Sequence, residues 1–216
     1  MKKRYLWRGG LYVLGLLILA LGLTLHNKCA LGTSAMSTTP YFAALVWGVE
    51  FGDGMFVFYA LCAAAQLFLK PRREWLPVLG QVAVSLALSR VLNWMDAVIM
   101  EPKLLWGKGK VLLLLGAVLF TGIGAALCLS ARLIPGAGDG IVEAISRRFG
   151  VELGLTKNLF DLFCMAVTFV LGLVTGHFMC ALGIGTLVGV VGVGRVMEVF
   201  DRLFQKRLEP LMGLEE

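Results

Sequence analysis

Charged residues are scarce in this chain, at 16% of the total, against about a quarter in an average soluble domain. That excludes a surface wetted on all sides and, with 58% hydrophobic residues, gives the chain a membrane composition. Histidine occurs only twice, and the five cysteines (Cys29, Cys62, Cys128, Cys164 and Cys180) stand far apart with no CxxC spacing. Neither a metal site nor a disulfide framework follows from such a pattern. No metal and no cofactor are therefore expected, and the cysteines read as small core residues. No serine or cysteine sits in a nucleophile motif, while His26 and His177 fall near the ends of apolar runs and read as interfacial. No catalytic residue is assigned, and the chain is not expected to be an enzyme. The glycine-rich GVVGVG at 189–194 has neither the residue order nor the preceding strand of a dinucleotide loop.

What the chain does have is apolar length. Runs at about 11–25, 54–69, 75–94, 111–133, 159–175 and 178–199 mostly approach the roughly 20 residues that a spanning helix needs. We read six crossings, the second short and the sixth interrupted by Gly183, Gly185, Gly189, Gly192 and Gly194. The first run, preceded by Lys2, Lys3, Arg4 and Arg8, also has the outline of a signal peptide. It has a counterpart in the middle of the chain, however, which cannot be one. The formal net charge is +6, but the basic residues flank apolar segments. They read as topology signals, and no nucleic-acid partner is expected.

The pentapeptide GVEFG at 48–52 returns as GVELG at 150–154, a shift of 102 that also pairs Gly22 with Gly124 and Leu31 with Leu133. RVLNWMD at 90–96 returns as RVMEVFD at 195–201 in the same order. Two motifs in register, each among three apolar runs, point to an internal duplication. Because each unit holds an odd number of crossings, the second must enter the membrane from the opposite side. The expected fold is all-α and polytopic: a single membrane domain with six transmembrane helices as two inverted three-helix repeats, about 6–96 and 108–201, and a cytoplasmic tail at 202–216. With both termini cytoplasmic, fifteen of the 20 Lys and Arg lie inside and four (Lys28, Lys103, Lys108 and Lys110) outside, as the positive-inside rule requires.

In each unit the first crossing runs into a small-residue polar stretch, LGTSAMSTTP at 31–40 and LIPGAGDG at 133–140, followed by a short helical segment. In the second unit Ile141, Val142, Ile145 and Phe149 share one face and Glu143, Ser146, Arg147 and Arg148 the other, an amphipathic pattern. The first-unit counterpart, PYFAALVW, is apolar on every face and is expected to dip into the membrane. Irregular backbone at that depth is tolerated only when buried in protein or lining a wet cavity, so the two stretches are where a site is expected. Ser34, Ser37, Thr38, Gly136, Gly138 and Asp139 are its candidate residues, with Arg90, the one basic residue well inside a crossing, as charged contributor. Each has a structural alternative. Asp139 also reads as a helix N-cap, Ser37, Thr38 and Thr39 as caps before Pro40 at the first helical position, and Arg90 as a side chain that snorkels to the outer surface or pairs with Asp96 or Glu50. Asn158 and Asp161 read as caps, Glu50, Glu152 and Asp53 as interfacial carboxylates. Gln66, Ser85 and Ser89 read as interhelical hydrogen bonds, and the small-residue spacings Gly185/Gly189, Ala83/Ala87 and Ser85/Ser89 as close packing of crossings three and six.

The stretches LIPGAGDGIVEAISRRFGVELG and ALGIGTLVGVVGVGRVMEVFD together resemble the YczE/YitT-like group of small bacterial membrane proteins. Sequences of that group have a Gly/Pro-rich turn with an acidic residue before a short helix and a Gly-rich LGxGT segment, here 182–186, leading into the last crossing. This chain carries Ala137 and Gly138 ahead of Asp139 where the commoner form has a tryptophan. The resemblance implies the topology above and no particular substrate.

Inverted repeats with interrupted segments in matching positions are a transporter signature. The expectation is a small secondary transporter or facilitator of a small polar or zwitterionic solute across the bacterial inner membrane. A substrate-binding subunit of a larger transporter and a non-transporting scaffold are the alternatives. Its partners are the lipid bilayer and the solute, and so small a bundle is a candidate for a homodimer. The topology predicts that an impermeant thiol reagent added to intact cells labels Trp106→Cys but neither Arg72→Cys nor Gln205→Cys. Labelling at 72 or 205 with none at 106 would reverse it.

Overall fold

Lipid offers a polypeptide no hydrogen bonds, so apolar runs of this length satisfy their backbone internally as helices. The computed structural model, which describes residues 2–99, 108–178 and 180–212, is helical throughout, with no strand among the described residues. Its elements are α1 (Lys2–Lys28), α2 (Thr38–Trp47), α3 (Phe51–Leu69), α4 (Trp75–Val98), α5 (Lys108–Ser130), α6 (Ala137–Phe149), α7 (Leu153–Thr175) and α8 (Ile184–Met212), with a 3₁₀ turn, Ala35–Ser37, leading into α2. The order long, short, long, long thus occurs twice. Lys103, position 106 and residues 213–216 lie outside the described residues.

Five helices, α1, α3, α4, α5 and α7, are long and apolar enough to cross a membrane. The sixth run forms most of α8, but the helix starts at Ile184 rather than 178, and Arg195, Glu198 and Asp201 fall in or beside its apolar part. That charge separates it from the other five. The short α2 and α6 end alike: Gly48 and Gly150 take left-handed φ of 67° and 68°, and Glu50 and Glu152 then open the next helix with ψ of 134° and 137°. A left-handed residue after the last turn is how many helices stop, and glycine adopts it without a Cβ clash. Among the described residues the two non-glycine positions with positive φ, Ala30 (53°) and Arg132 (46°), also stand 102 apart.

The densest helix pair is α1 with α5. A Cβ placed on Gly15 would meet Cys128, one on Gly22 would meet Thr121, and one on Gly124 would meet Leu19, in the last two cases at the partner's backbone nitrogen. As the number rises along α1 it falls along α5, so the helices run antiparallel. The contact is also reciprocal, because adding 102 to Gly22 and subtracting it from Thr121 gives Gly124 and Leu19. Arg8 and Tyr12 at the start of α1 fasten the end of α5: Arg8 Nε donates to Ala131 O at 3.0 Å and Nη2 to Arg132 O at 2.8 Å, and the Tyr12 hydroxyl donates to Ile134 O at 2.8 Å.

The expected packing of crossings three and six is not found. Crossing three, α4, lies against α3 and α1, while crossing six, α8, lies against α5 and α1. The Gly185/Gly189 spacing serves a different approach, with Gly185 against the Leu31 and Gly32 carbonyls and Gly189 against the His26 ring. Small-residue spacing marks a surface that can be approached closely, not which helix approaches it. On the other side of the bundle α3 packs against α4 and α6, and α7 against α2, the 3₁₀ turn and α6. Among the described residues α7 has at most marginal contact with α8. The amphipathic α6 turns Ile141 inward among Cys62, Phe58, Tyr59 and Phe160, and Val142 is buried as well. Its polar face reaches the α3–α4 turn through Lys70–Glu143 (3.6 Å) and Arg147–Glu74 (3.6 Å).

Adding a side chain at the α1–α5 crossing has no low-cost relief, since backbone opposes it. Gly22→Val is expected to cost about 1–3 kcal/mol or more, with the thermal midpoint falling by roughly 2–4 °C per kcal/mol in a chain of this size. Gly116→Ala, where a Cβ meets nothing within 4 Å, should be neutral or gain up to about 1 kcal/mol of helix propensity. Detergent-solubilised protein followed by thermal unfolding distinguishes them, and equal midpoints for both variants would show that α1 and α5 are not in this contact.

Candidate functional site at the half-helix starts

The two interrupted stretches become two helix starts of the same build. Ser34 (φ −60°, ψ 142°) precedes the helical segment that opens with Ala35, and Gly136 (φ −57°, ψ 146°) precedes α6, which opens with Ala137. At the shared offset of 102, Ser37 and Asp139 occupy the same position, the third of the helical turn. Neither side chain caps its helix: Ser37 Oγ donates to Ser34 O at 2.9 Å, and no side-chain cap bond is made at Gly136. The capping expectation for Asp139 is therefore corrected. The helix begins two residues before it, at Ala137, so Asp139 stands inside the first turn, where negative charge meets the positive end of the helix dipole. Pro40 likewise is not the first residue of α2 but its third. It still lies in the turn whose N–H groups have no intrahelical acceptor.

The starts abut each other. A Cβ on Gly138 would lie 3.0 Å from Met36 Sδ and 3.4 Å from Tyr59 Cε1, so the second start touches the 3₁₀ turn of the first. Each is held by a long helix from the opposite half, near that helix's middle. On one side Thr38 Oγ1 donates to Ala35 O (2.7 Å) and takes a bond from Thr168 Oγ1 (2.9 Å), which also bonds Cys164 O (3.0 Å) and pairs with Thr39 (2.9 Å). On the other side Gln66 Nε2 donates to Gln81 Oε1 (2.8 Å), Ala137 O (3.2 Å) and Cys62 O (3.4 Å). Gln66 and Thr168, Cys62 and Cys164, Ala137 and Ala35 are again 102 apart. Gly140 leaves room for this amide pair, since a Cβ there would lie 2.6 Å from Gln66 Oε1 and 2.7 Å from Gln81 Nε2. Gln66 thus makes the interhelical bond expected of it. Ser89 contributes a longer one to Asp53 at 3.4 Å.

Six of the seven sequence-derived residues fall on these two starts: Ser34, Ser37 and Thr38 on the first, Gly136, Gly138 and Asp139 on the second. Ser37, Thr38 and Gly138 are buried, while Gly136 and Asp139 are exposed. Arg90 is not among them. It is exposed on the α3–α4 face, 3.3 Å from Asp53, so its partner is neither of those expected, Asp96 and Glu50. Asp96 instead pairs with Lys28 at 3.0 Å, and Glu50 accepts from Asn93 Nδ2.

Residues missed from the sequence complete the site. Asp161 is 7% exposed and has Lys157 at 4.0 Å. It does not cap α7, which begins at Leu153, and Asn158 likewise lies inside that helix. Asp161 stands 102 residues from Tyr59, whose ring lies beside Gly138. The available signal was a carboxylate inside an apolar run, hidden by starting that run at 159 instead of 153. His26 was taken as interfacial and is fully buried. Both its ring nitrogens, Asn27 Nδ2, Gln66 Oε1 and Thr121 Oγ1 are without hydrogen-bond partners among the described residues. Each such buried group costs about 1–3 kcal/mol, more than the at most about 2 kcal/mol needed to immobilise a bridging water. His177, by contrast, is exposed, with Nδ1 2.9 Å from Thr175 O. Cys29, Cys62 and Cys164 are buried free thiols, as core residues should be, whereas Cys128 is half-buried and Cys180 is exposed on the segment before α8, against that expectation. Burial pushes the Cys29 thiol above its usual range, so it stays protonated and its Sγ–H reaches His26 O at 2.9 Å.

The two helix starts thus carry the exposed Asp139 carboxylate and the buried Ser37, Thr38 and Gly138, with the buried Asp161 on α7. A *Haemophilus influenzae* protein described as an uncharacterized protein is 25% identical over 199 residues, covering 90% of this chain and 86% of its own length. No solved structure matches the chain. Residues 6–202, which take in both helix starts and every residue named at the site, match the family of unknown function DUF6198, and the chain belongs to that family.

Proposed function

We propose that the protein is a small secondary transporter or facilitator of a small polar or zwitterionic solute, lying in the bacterial inner membrane with both termini cytoplasmic. In this reading α8 is the sixth crossing, and the two halves are inverted repeats about a twofold axis lying in the membrane plane. Support for the axis comes from the α1–α5 contact. Two equivalent helices that pack antiparallel through reciprocal residues, Gly22 on Thr121 and Gly124 on Leu19, are related by a twofold perpendicular to both. For spanning helices such an axis lies in the plane of the bilayer. The matched dihedrals at Ser34/Gly136, Gly48/Gly150 and Ala30/Arg132 favour the same duplication. The resemblance to the YczE/YitT-like group is a finer proposal resting on the GAGDG and LGIGT stretches.

The observation that carries the functional reading is the meeting of Met36 with Gly138, which brings two half-helix starts together beside the middle of α3 and α7. Starts of this kind present unpaired N–H groups and the positive end of a dipole to an anionic group. Asp139 and Asp161 offer the complementary charge to a cationic one. The protein supplies binding and orientation, with no covalent step and no cofactor. Lipid surrounds it, and nucleic acid has no part in it.

A thermal-shift screen of purified protein against zwitterionic and other small polar metabolites tests the proposal. A solute at 100 times its Kd adds about 2.7 kcal/mol of stability, and with each kcal/mol moving the midpoint by roughly 2–4 °C the shift is plain to see. Asp139→Asn should leave the unliganded midpoint within about 1 kcal/mol, because the residue stands in the first turn without capping it. It should weaken the identified solute roughly tenfold or more, the worth of a charged hydrogen bond. Unchanged affinity in that variant would remove the carboxylate from the site. No stabilisation by any solute would favour the scaffold alternative.

A further inference from the structure

The C-terminal end of α1 is unusually polar for the inside of an apolar bundle: Thr24, His26, Asn27, Thr33 and Thr186 are all buried there. A neutral imidazole carries one donor and one acceptor in either tautomer, yet neither ring nitrogen of His26 has a partner among the described residues, nor does Asn27 Nδ2. Beside the ring α8 carries Gly189, where a Cβ would come within 2.9 Å of His26 Cε1. The His26 ring thus takes the space that a side chain on α8 would fill. From Asn27 a hydrogen-bond chain runs inward. Thr33 Oγ1 donates to Asn27 Oδ1 at 2.7 Å, Thr33 and Ser37 hydroxyls lie 3.0 Å apart, and Ser37 Oγ donates to Ser34 O at 2.9 Å. The chain therefore ends at the first half-helix start.

We propose that His26 and Asn27 hold ordered internal water, which extends the Asn27–Thr33–Ser37 chain into a polar file leading from the end of α1 to the half-helix start. Water fits because it both donates and accepts, as the unpaired His26 ring nitrogens and Asn27 amide require; an apolar occupant would leave every one of them unpaired. The use of the file rests on the transport reading: it is the wet route by which a solute or proton reaches the site from the side of the membrane where α1 ends. The hydration itself does not depend on that reading.

The chain's two histidines allow a direct test. Full-length protein labelled with ¹⁵N-histidine and reconstituted in lipid bilayers gives two ring systems in solid-state NMR, assigned with His177→Asn. Water-edited spectra should show His26 ring nitrogens polarised early from water protons, alongside exposed His177 as the internal standard, and with shifts of hydrogen-bonded nitrogens. Late polarisation through protein protons alone would overturn the proposal. Thermal midpoints give a second reading. Around hydrated His26, His26→Gln should retain stability better than His26→Leu, which strands the water's partners. His26→Leu melting at or above the unmodified protein would mean the ring is dry and the proposal wrong. Both measurements need no solute, so a failed transport assay leaves them standing, and a dry His26 leaves the half-helix site intact without this route.

Discussion

Everything in this bundle is arranged around the crossing of α1 and α5, where Gly22 and Gly124 allow two backbones to touch. In lipid there is no hydrophobic force to drive one apolar helix onto another. Association depends on close packing and on polar contacts, and both need small residues. The close crossing fixes where the ends of both helices lie. It thereby sets the starting points of the two irregular stretches, 29–34 and 131–136, which leave those ends and lead into the half-helix starts. Those stretches are tolerable only because protein surrounds them. The Leu31 carbonyl accepts from Gly185 N at 2.7 Å, and Arg8 and Tyr12 hold the carbonyls at the end of α5.

Much of the fold was legible in the sequence because it follows from one-dimensional patterns. All six apolar runs lie largely in helices, and the amphipathic period of α6 was read correctly for Ile141 and Val142, which are buried, but not for Phe149, which is exposed. The repeated GVE(F/L)G motif marked two turns with matching dihedrals. What the patterns did not contain was pairing. The Gly185/Gly189 spacing advertised close contact without saying that its partners were His26 and the chain after α1. Element boundaries were the other weakness. Placing the start of α7 six residues late turned Asp161 from an internal carboxylate into a cap, and placing the start of α6 after Asp139 did the same to a first-turn residue. His26 looked interfacial because a run of apolar letters ended there. The polar residues that follow it are folded back into the protein, so the letters stop before the interior does.

The candidate residues were chosen by a physical rule, that broken backbone at membrane depth must be sheltered or wet, and six of the seven lie on the two helix starts. Arg90 was nominated by a different rule, that a charge inside a crossing needs an explanation. Its explanation is the neighbouring Asp53 on an exposed face. The residues overlooked share a property: Tyr59, Asp161, Gln66 and Thr168 belong to α3 and α7, the long helices that embrace the starts from the opposite half. Their relevance depends on three-dimensional exchange between halves, which no local motif encodes.

The resemblance between the halves is incomplete where α3 lies along α4 while α7 has at most marginal contact with α8. A carrier that works by letting its two halves trade places would, were they identical, have end states of equal energy and no inherent preference between the two faces of the membrane. Unequal seams lift that degeneracy. For such a carrier the resting population is biased toward one face even when solute concentrations are balanced. Its rates in the two directions then saturate differently, though the equilibrium it reaches is the same.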